Sequence, residues 1–253
     1  MSSPQSGFAD LAREGGRGAL VTVLRGEGAG AKLLVRADGS SEGSVGAFDE
    51  VALRHADELM WAERSEAREE GDALLFVDVT FPAPRIIIFG AVDFAAALVH
   101  LARGIGWRPY IVDPRSRFAT AERFPEAEEI VVAWPDEAFR RLGGIDRATS
   151  IVVLTHDPKL DDAALSVALR SDAPFVGAMG SRRAQAARRE RLLAAGLADE
   201  DLERLAAPVG LDLGATSSEE TALSILAEVV AVRHGREGGR LGRAGGRIHE
   251  VGA

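Results

Sequence analysis

Five short apolar runs recur between Arg85 and Gly180: "RIIIFG", "RPYIVD", "EIVVAW", "SIVVLTH" and "PFVGAMG". Each is apolar or β-branched at nearly every position, as strands buried on both faces are. Helical patterns separate them, over Phe94–Ile105, Asp136–Leu142 and Asp161–Arg170. Alternation of this kind needs crossover connections, which give a parallel sheet covered on both faces. The expected fold class is α/β, with a Rossmann-like doubly wound parallel sheet over residues 83–235.

Beyond the fifth run, helical patterns cover Ser181–Ala195 and Asp199–Leu205, and the turn "APVGLDLGA" leads into a last helix over Ser217–Val232. Ser217 with Glu220 three residues on reads as a capping box. Leu223, Leu226, Ala227 and Val230 supply that helix with an apolar face. The part before residue 83 has another rhythm. "GALVTVLRG", "AKLLVRADG" and "DALLFVDVTF" read as strands, the "ADG" being a hairpin-type turn signal. Asp49 to about Glu70 reads as helix, with Val51, Ala52, Leu59 and Ala62 near one stripe. Residues 1–82 thus form a smaller α+β domain, joined to the rest through the proline-bearing Phe81–Pro84. Residues 236–253, rich in Gly and Arg, read as a disordered tail that cannot bury enough apolar surface to offset its chain entropy.

The net charge of −9 disfavours nucleic acid as a partner, because phosphate backbones bind basic surface. No apolar run approaches the roughly 20 residues of a membrane span, and the first residues lack the basic start and apolar stretch of a signal peptide. A cytoplasmic location is the expectation. The chain has no cysteine. Disulfides, thiolate metal ligation and a persulfide relay through this chain are therefore excluded. The five histidines show no zinc-type spacing to one another, so no metal site is expected.

Four stretches could carry chemistry. Gly90 opens a turn like that of a dinucleotide fingerprint, with Ala91 after it and Ala95 in the place of the third glycine. Val92 stands where the second glycine lets backbone approach a pyrophosphate. Asp113 ends the second run, where a ribose-binding acid belongs. His156 and Asp157 follow the fourth run, at the strand end where open α/β sheets bind ligands; there His156 can act as acid, base or phosphate donor, or Asp157 can simply form a turn with Pro158. Gly180 and Ser181 start a helix whose first turn holds Arg182 and Arg183. Cations there oppose the macrodipole, a placement that makes sense if the helix start meets an anion; the alternative is pairing with acids such as Glu190. Arg188, Arg189 and Arg191 read as a solvated face. Asp212, between Gly210 and Gly214, either meets a ligand or closes a turn. Trp134, with Pro135, could flank a flat ligand or be core.

Taken in order, "RFATAERFPEA", "VVAWPDEA", "VVLTHDPKLDDAAL", "FVGAMGSRRAQAARRERL" and "APVGLDLGATSSEETALSILAEVVAVR" resemble the xanthine dehydrogenase accessory family, XdhC/CoxI, from about Arg85 to Arg233. "ALVTVLRGEG", "GAKLLVRADG" and "GSVG" extend the resemblance more loosely to residues 1–82, as a degenerate N-terminal domain of that family. Two places depart from the family pattern. "GSVGAFDEVAL" has Ala47 and Phe48 about where the family carries a cysteine-bearing turn, and the loop reads Gly90-Ala91-Val92-Asp93 where the family usually has G-A-G-H.

The resemblance implies a maturation factor for molybdenum hydroxylases of the xanthine or CO dehydrogenase type. Such a factor binds molybdenum cofactor of the molybdopterin type, works with a cysteine desulfurase, hands the cofactor to an apo-enzyme and tends to form a homodimer. On this reading the candidate cofactor contacts, taken from the crevice loops and the anion-ready helix start, are Gly90, Ala91, Asp113, His156, Asp157, Gly180, Ser181, Arg182 and Asp212, and no catalytic residue is expected. Two alternatives stay open at this point: an NAD(P)-binding oxidoreductase on the same sheet, and a paralogue that keeps scaffold and partners but has lost its ligand.

Overall fold

The computed structural model describes residues 3–243 and divides into two compact units, one up to Pro82 and one from Ala83. In the first, α1 (Pro4–Arg13) starts at the N-cap Ser3 with Pro4 in its first turn. Strands β1 (Gly18–Arg25), β2 (Lys32–Arg36), β3 (Ser41–Ser44), β4 (Glu66–Glu70) and β5 (Ala73–Thr80) form an antiparallel sheet in the order β3-β2-β1-β5-β4. Helix α2 (Asp49–Ala62) covers one face, packing Ala52, Ala56, Leu59 and Met60 on Val21, Val35, Leu75 and Val77. On the other face α1 comes close enough to Leu34 that a Cβ on Gly7 would lie 3.0 Å from its Cδ2.

Helix α2 is shorter than its pattern suggests. It ends at Ala62 because Glu63 turns left-handed, at φ 53°, and its carboxylate binds the buried Arg17 at 2.7 Å. Residues 66–70, expected to continue the helix, are instead the edge strand β4, paired antiparallel to β5. Their charges suit an edge, where they discourage pairing with another chain. The turn Gly46–Phe48 is a short 3-10 segment with Ala47 exposed and Phe48 half-buried.

The second unit is a six-stranded parallel sheet: β6 (Arg85–Phe89), β7 (Arg108–Val112), β8 (Glu129–Val131), β9 (Thr149–Val153), β10 (Phe175–Ala178) and β11 (Leu205–Ala206). Its order is β11-β10-β9-β6-β7-β8, an α/β doubly wound arrangement. Helices α3 (Asp93–Gly104), α4 (Pro135–Arg141), α5 (Pro158–Ala168), α6 (Arg182–Ala194), α7 (Asp199–Glu203) and α8 (Ser218–Arg233) flank it. Alternate strand residues feed two separate cores, as the two-residue strand period requires. Ile86, Ile88, Ile111 and Val152 pack with α3 and α8, whereas Ile87, Phe89, Val112 and Val153 pack with α4, α5 and α6. Each fully buried isoleucine or phenylalanine contributes about 1.5–3 kcal/mol.

One expectation needs correction here. The buried residues of α8 are Ala222, Ser224, Ile225, Leu226 and Val229, while Leu223 is exposed, so the core face is rotated from the expected stripe. The helix is apolar on most sides, and periodicity alone cannot choose between them. Of the expected tail, Leu241–Arg243 form a 3-10 turn; residues 244–253 lie outside the described residues.

Candidate functional site

The chain runs outward from β6 to β7 and β8, then returns to lay β9 on the opposite side of β6. That reversal is the switch point at which doubly wound sheets open a crevice beyond their carboxyl ends. The loops after β6, β7, β9, β10 and β11 all emerge on this side, and they carry Gly90–Val92, Asp113, Thr155–Asp157, Gly180–Arg182 and Gly210–Gly214 respectively.

Gly90 is required by its backbone. Its φ is +108°, and a Cβ there would sit 2.5 Å from Thr155 Cγ2. The loop after it is closed from within. The Ala91 N–H, which a dinucleotide site would turn toward phosphate, donates to Asp113 Oδ2 at 2.9 Å. The Ala91 carbonyl accepts from Arg123 Nη1 at 2.8 Å, and Arg123 also binds Asp93 in the first turn of α3 at 3.0 Å. Val92 caps α3 with its side chain half-buried in the apolar cluster. The α3 start thus carries its own carboxylate and a branched Cβ where a pyrophosphate would approach.

Asp113 is fully buried. Besides Ala91 it accepts from Arg115 three times: the backbone N–H and Nε at 2.9 Å, and Nη2 at 2.7 Å. Burial raises its pKa, but the Arg115 and Ala91 hydrogen bonds outweigh that and hold the carboxyl below the usual range. Four donors use its acceptor capacity, which leaves nothing for a ribose. The Arg115 guanidinium is held firmly cationic, first by Asp113 and also by the charge of Asp157.

His156 is exposed. Asp157 is the N-cap of α5, accepting the Lys159 N–H at 3.0 Å, and Pro158 occupies the first helical position. Beneath them lies a network that sequence patterns do not reveal. Arg188 is buried, not solvated: it binds Asp161 Oδ2 at 2.9 Å and the Met179 carbonyl at 3.1 Å, while Thr155 Oγ1 donates to the other Asp161 oxygen. Arg189 and Arg191 also deviate from a purely solvated face, pairing with Asp199 and Asp162. The network ties the loops after β9 and β10 to α5 and α6.

The start of α6 sits on that brace. Ser181 is the N-cap and accepts the Ala184 N–H at 3.2 Å. Gly180 has φ +138°. The first turn holds no acid, whereas α3, α4, α5 and α8 all begin with at least one. Arg182 and Arg183 are exposed, and neither has an acidic partner within ion-pair distance among the described residues, Glu190 included. Asp212 is exposed in a loop held by the Gly210 N–H to Glu228 at 2.7 Å and by Ser224 to the Leu211 carbonyl. Trp134, at the end of β8, is half-exposed and caps α4. Among the described residues no group of three or more His, Asp and Glu is placed to hold a metal ion, and no helix is long and apolar enough to cross a membrane.

The chain is similar to known proteins. The chain is 28% identical to a probable xanthine dehydrogenase subunit of Bacillus subtilis over 63% of its length and 46% of that protein's. It is 29% identical to the molybdenum cofactor insertion chaperone PaoD of Escherichia coli over 60% of its length and 41% of that protein's. The uncharacterized protein YqeB of Escherichia coli matches at 29% over 83% of this chain and 41% of its own. The chain therefore spans less than half the length of these curated relatives. A crystal structure of a xanthine dehydrogenase from Bacillus halodurans superposes with a TM-score of 0.63 at 26% identity, covering 90% of this chain and 65% of that one. The family model of the XdhC Rossmann domain matches residues 86–229, more than half of the chain, and the protein belongs to the XdhC family.

Proposed function

We propose that this chain is an accessory factor in the maturation of molybdenum hydroxylases, and that it holds molybdenum cofactor in the crevice beyond the carboxyl ends of β6, β9 and β10. The similarity to a molybdenum cofactor insertion chaperone supports this reading. The observation that carries it is the start of α6. Backbone N–H groups, an N-cap serine and two arginines without an acidic partner among the described residues meet at one helix end, with no acid in the first turn. Such an end attracts a phosphate, and molybdopterin bears one.

In this reading Ser181, Arg182 and the amides beside Gly180 hold the phosphate. His156, Asp157 and Asp212 line the same side of the sheet, and Gly90 and Ala91 form the crevice floor. Asp113 acts indirectly, by holding Ala91 and Arg115. The partners are a molybdenum hydroxylase apo-enzyme, a cysteine desulfurase and a second copy of the chain. With no cysteine, this chain cannot itself carry sulfur as a persulfide, so sulfuration of a bound cofactor would draw on the desulfurase's own cysteine. The closed Ala91 peptide and the engaged Asp113 carboxylate disfavour the alternative of an NAD-dependent oxidoreductase.

The test is retention of molybdenum cofactor through anaerobic gel filtration, followed by molybdenum content and pterin fluorescence. Wild-type protein is expected to retain it near one equivalent, and the R182Q/R183Q variant to lose it. No retention by well-folded wild-type protein would overturn the reading.

A further inference from the structure

A second set of cations on the crevice side stands apart from the start of α6. The turn after β7 reads Asp113-Pro114-Arg115-Ser116-Arg117-Phe118. The backbone N–H of Arg115 already closes this turn on Asp113, so the guanidinium contacts are not needed for closure. The guanidinium nevertheless lies against the same carboxylate through Nε and Nη2. That arrangement fixes the orientation of the fork and leaves Nη1 with no partner among the described residues, on a side chain 45% exposed. Arg117 is exposed and has no acidic partner among the described residues. Both guanidinium groups lie over one ring, Phe118, at 4.8 and 4.5 Å from its centroid. The Ser116 hydroxyl lies between them in sequence.

In doubly wound folds the end of this second strand faces the ribose of a nucleotide, and an arginine there accommodates a ribose phosphate. An acid that would bind ribose hydroxyls is present, but it is turned inward and used to orient an arginine. We propose that the β7 turn is a phosphate-ester subsite, with Arg115 and Arg117 as binding residues and Asp113 as the positioning residue behind Arg115. It is separate from the α6 start by three strand spacings, about 14 Å. It goes beyond the cofactor-carrier reading and needs no pyrophosphate at the closed Ala91 loop. The ligand class is a phosphorylated ribonucleoside.

Adenosine 2′-monophosphate is the probe, with adenosine and inorganic phosphate as comparison arms, titrated calorimetrically at low salt into the full chain. Wild type is expected to bind the 2′-phosphate at least tenfold more tightly than adenosine. R117Q, an exposed change, and R115Q are each expected to weaken it about ten- to hundredfold. D113N/R115Q, which replaces the ion pair by two amides, guards against a loss caused by misfolding and is expected to bind as weakly as R115Q. Equal affinity for adenosine and its 2′-phosphate, or unchanged binding in R117Q and R115Q, would overturn the subsite. Inorganic phosphate binding as tightly as the nucleotide, and lost in the same variants, would support the phosphate contact and overturn the nucleoside assignment. Cofactor retention is read separately: a wild type that binds the 2′-phosphate but retains no cofactor upholds the subsite and removes the carrier reading, and the reverse result does the opposite.

Discussion

Arg188 on α6 and Asp161 on α5 form a buried ion pair at 2.9 Å, with side-chain exposures of 4% and 3%. Asp161 also accepts from Thr155 at the end of β9, and Arg188 donates to Met179 at the end of β10. Two strand ends and two helices are therefore held by one pair. Removing only the cation leaves a carboxylate in an apolar interior. R188A is expected to lower the free energy of unfolding by about 3–5 kcal/mol. A D161L/R188M double variant is expected to recover most of that loss, because it removes both charges and refills the volume. Urea denaturation of the two variants decides the matter; equal losses would mean the pair matters for shape alone.

The parallel sheet is legible in the sequence because strands buried on both faces are apolar throughout, and the β6–β10 runs show it. Strand β4 is not, since "EAREE" is an edge held by pairing to β5, and its charges match a helix pattern as well. Arg188 escapes sequence reading for a related reason. Its partner lies 27 positions away on another helix, and no local pattern distinguishes an arginine facing solvent from one facing a buried aspartate. Two further features do carry a local signal. Ser3 followed by Pro4 is a helix start, and Asp113 two residues before Arg115 marks a turn whose acid can hold its own arginine. The α6 start is legible because caps and first-turn charges are local features.

The two buried aspartates are expected to titrate in opposite directions. Burial raises Asp113, but hydrogen bonds from Arg115 and Ala91 bring it below the ordinary value of about 3.9. Its contribution to stability is present above the unfolded-state pKa and is lost as pH falls through the lower folded value. Asp161 is raised, chiefly by burial, with Thr155 and Arg188 offsetting only part. Its contribution is full below the unfolded value and declines as pH rises through the folded one. Carboxyl carbon NMR titration would show the Asp161 midpoint above, and the Asp113 midpoint below, those of exposed aspartates.

G90A is expected to cost about 2–4 kcal/mol, from a left-handed backbone angle plus a clash that backbone must absorb. The added methyl would meet Thr155 Cγ2 at 2.5 Å and Thr155 N at 3.2 Å. Since Thr155 also holds Asp161, the strain reaches the ion pair. G144A is the control: φ is +83° but nothing lies within 4 Å of the added Cβ. It is expected to cost about 1 kcal/mol. A thermal melt separates the two.

V92G restores the glycine that a dinucleotide loop would carry, yet it is expected not to create NAD binding. The obstacle is more than the Val92 side chain. The Ala91 N–H is already bound by Asp113, and the Ala91 carbonyl by Arg123. Opening the loop would strip the buried Asp113 carboxylate of its Ala91 hydrogen bond and the Ala91 carbonyl of its Arg123 donor. A flat NAD titration of V92G is the expected result; micromolar binding would mean the Ala91 peptide flips at low cost.

Arg182 and Arg183 separate a binding role from a structural one by the sign of their effects. Both oppose the dipole of α6 and have no acidic partner among the described residues to compensate. If they serve the fold, their removal should lower stability; as anion ligands they keep a placement unfavourable to the helix. R182Q/R183Q is expected to raise stability by about 0.3–1 kcal/mol at low salt, with the gain shrinking as salt is added. The same variant is expected to lose at least tenfold in cofactor affinity. Higher stability with weaker binding in one protein is a combination that misfolding cannot produce. Unchanged binding beside raised stability would place the phosphate elsewhere in the crevice.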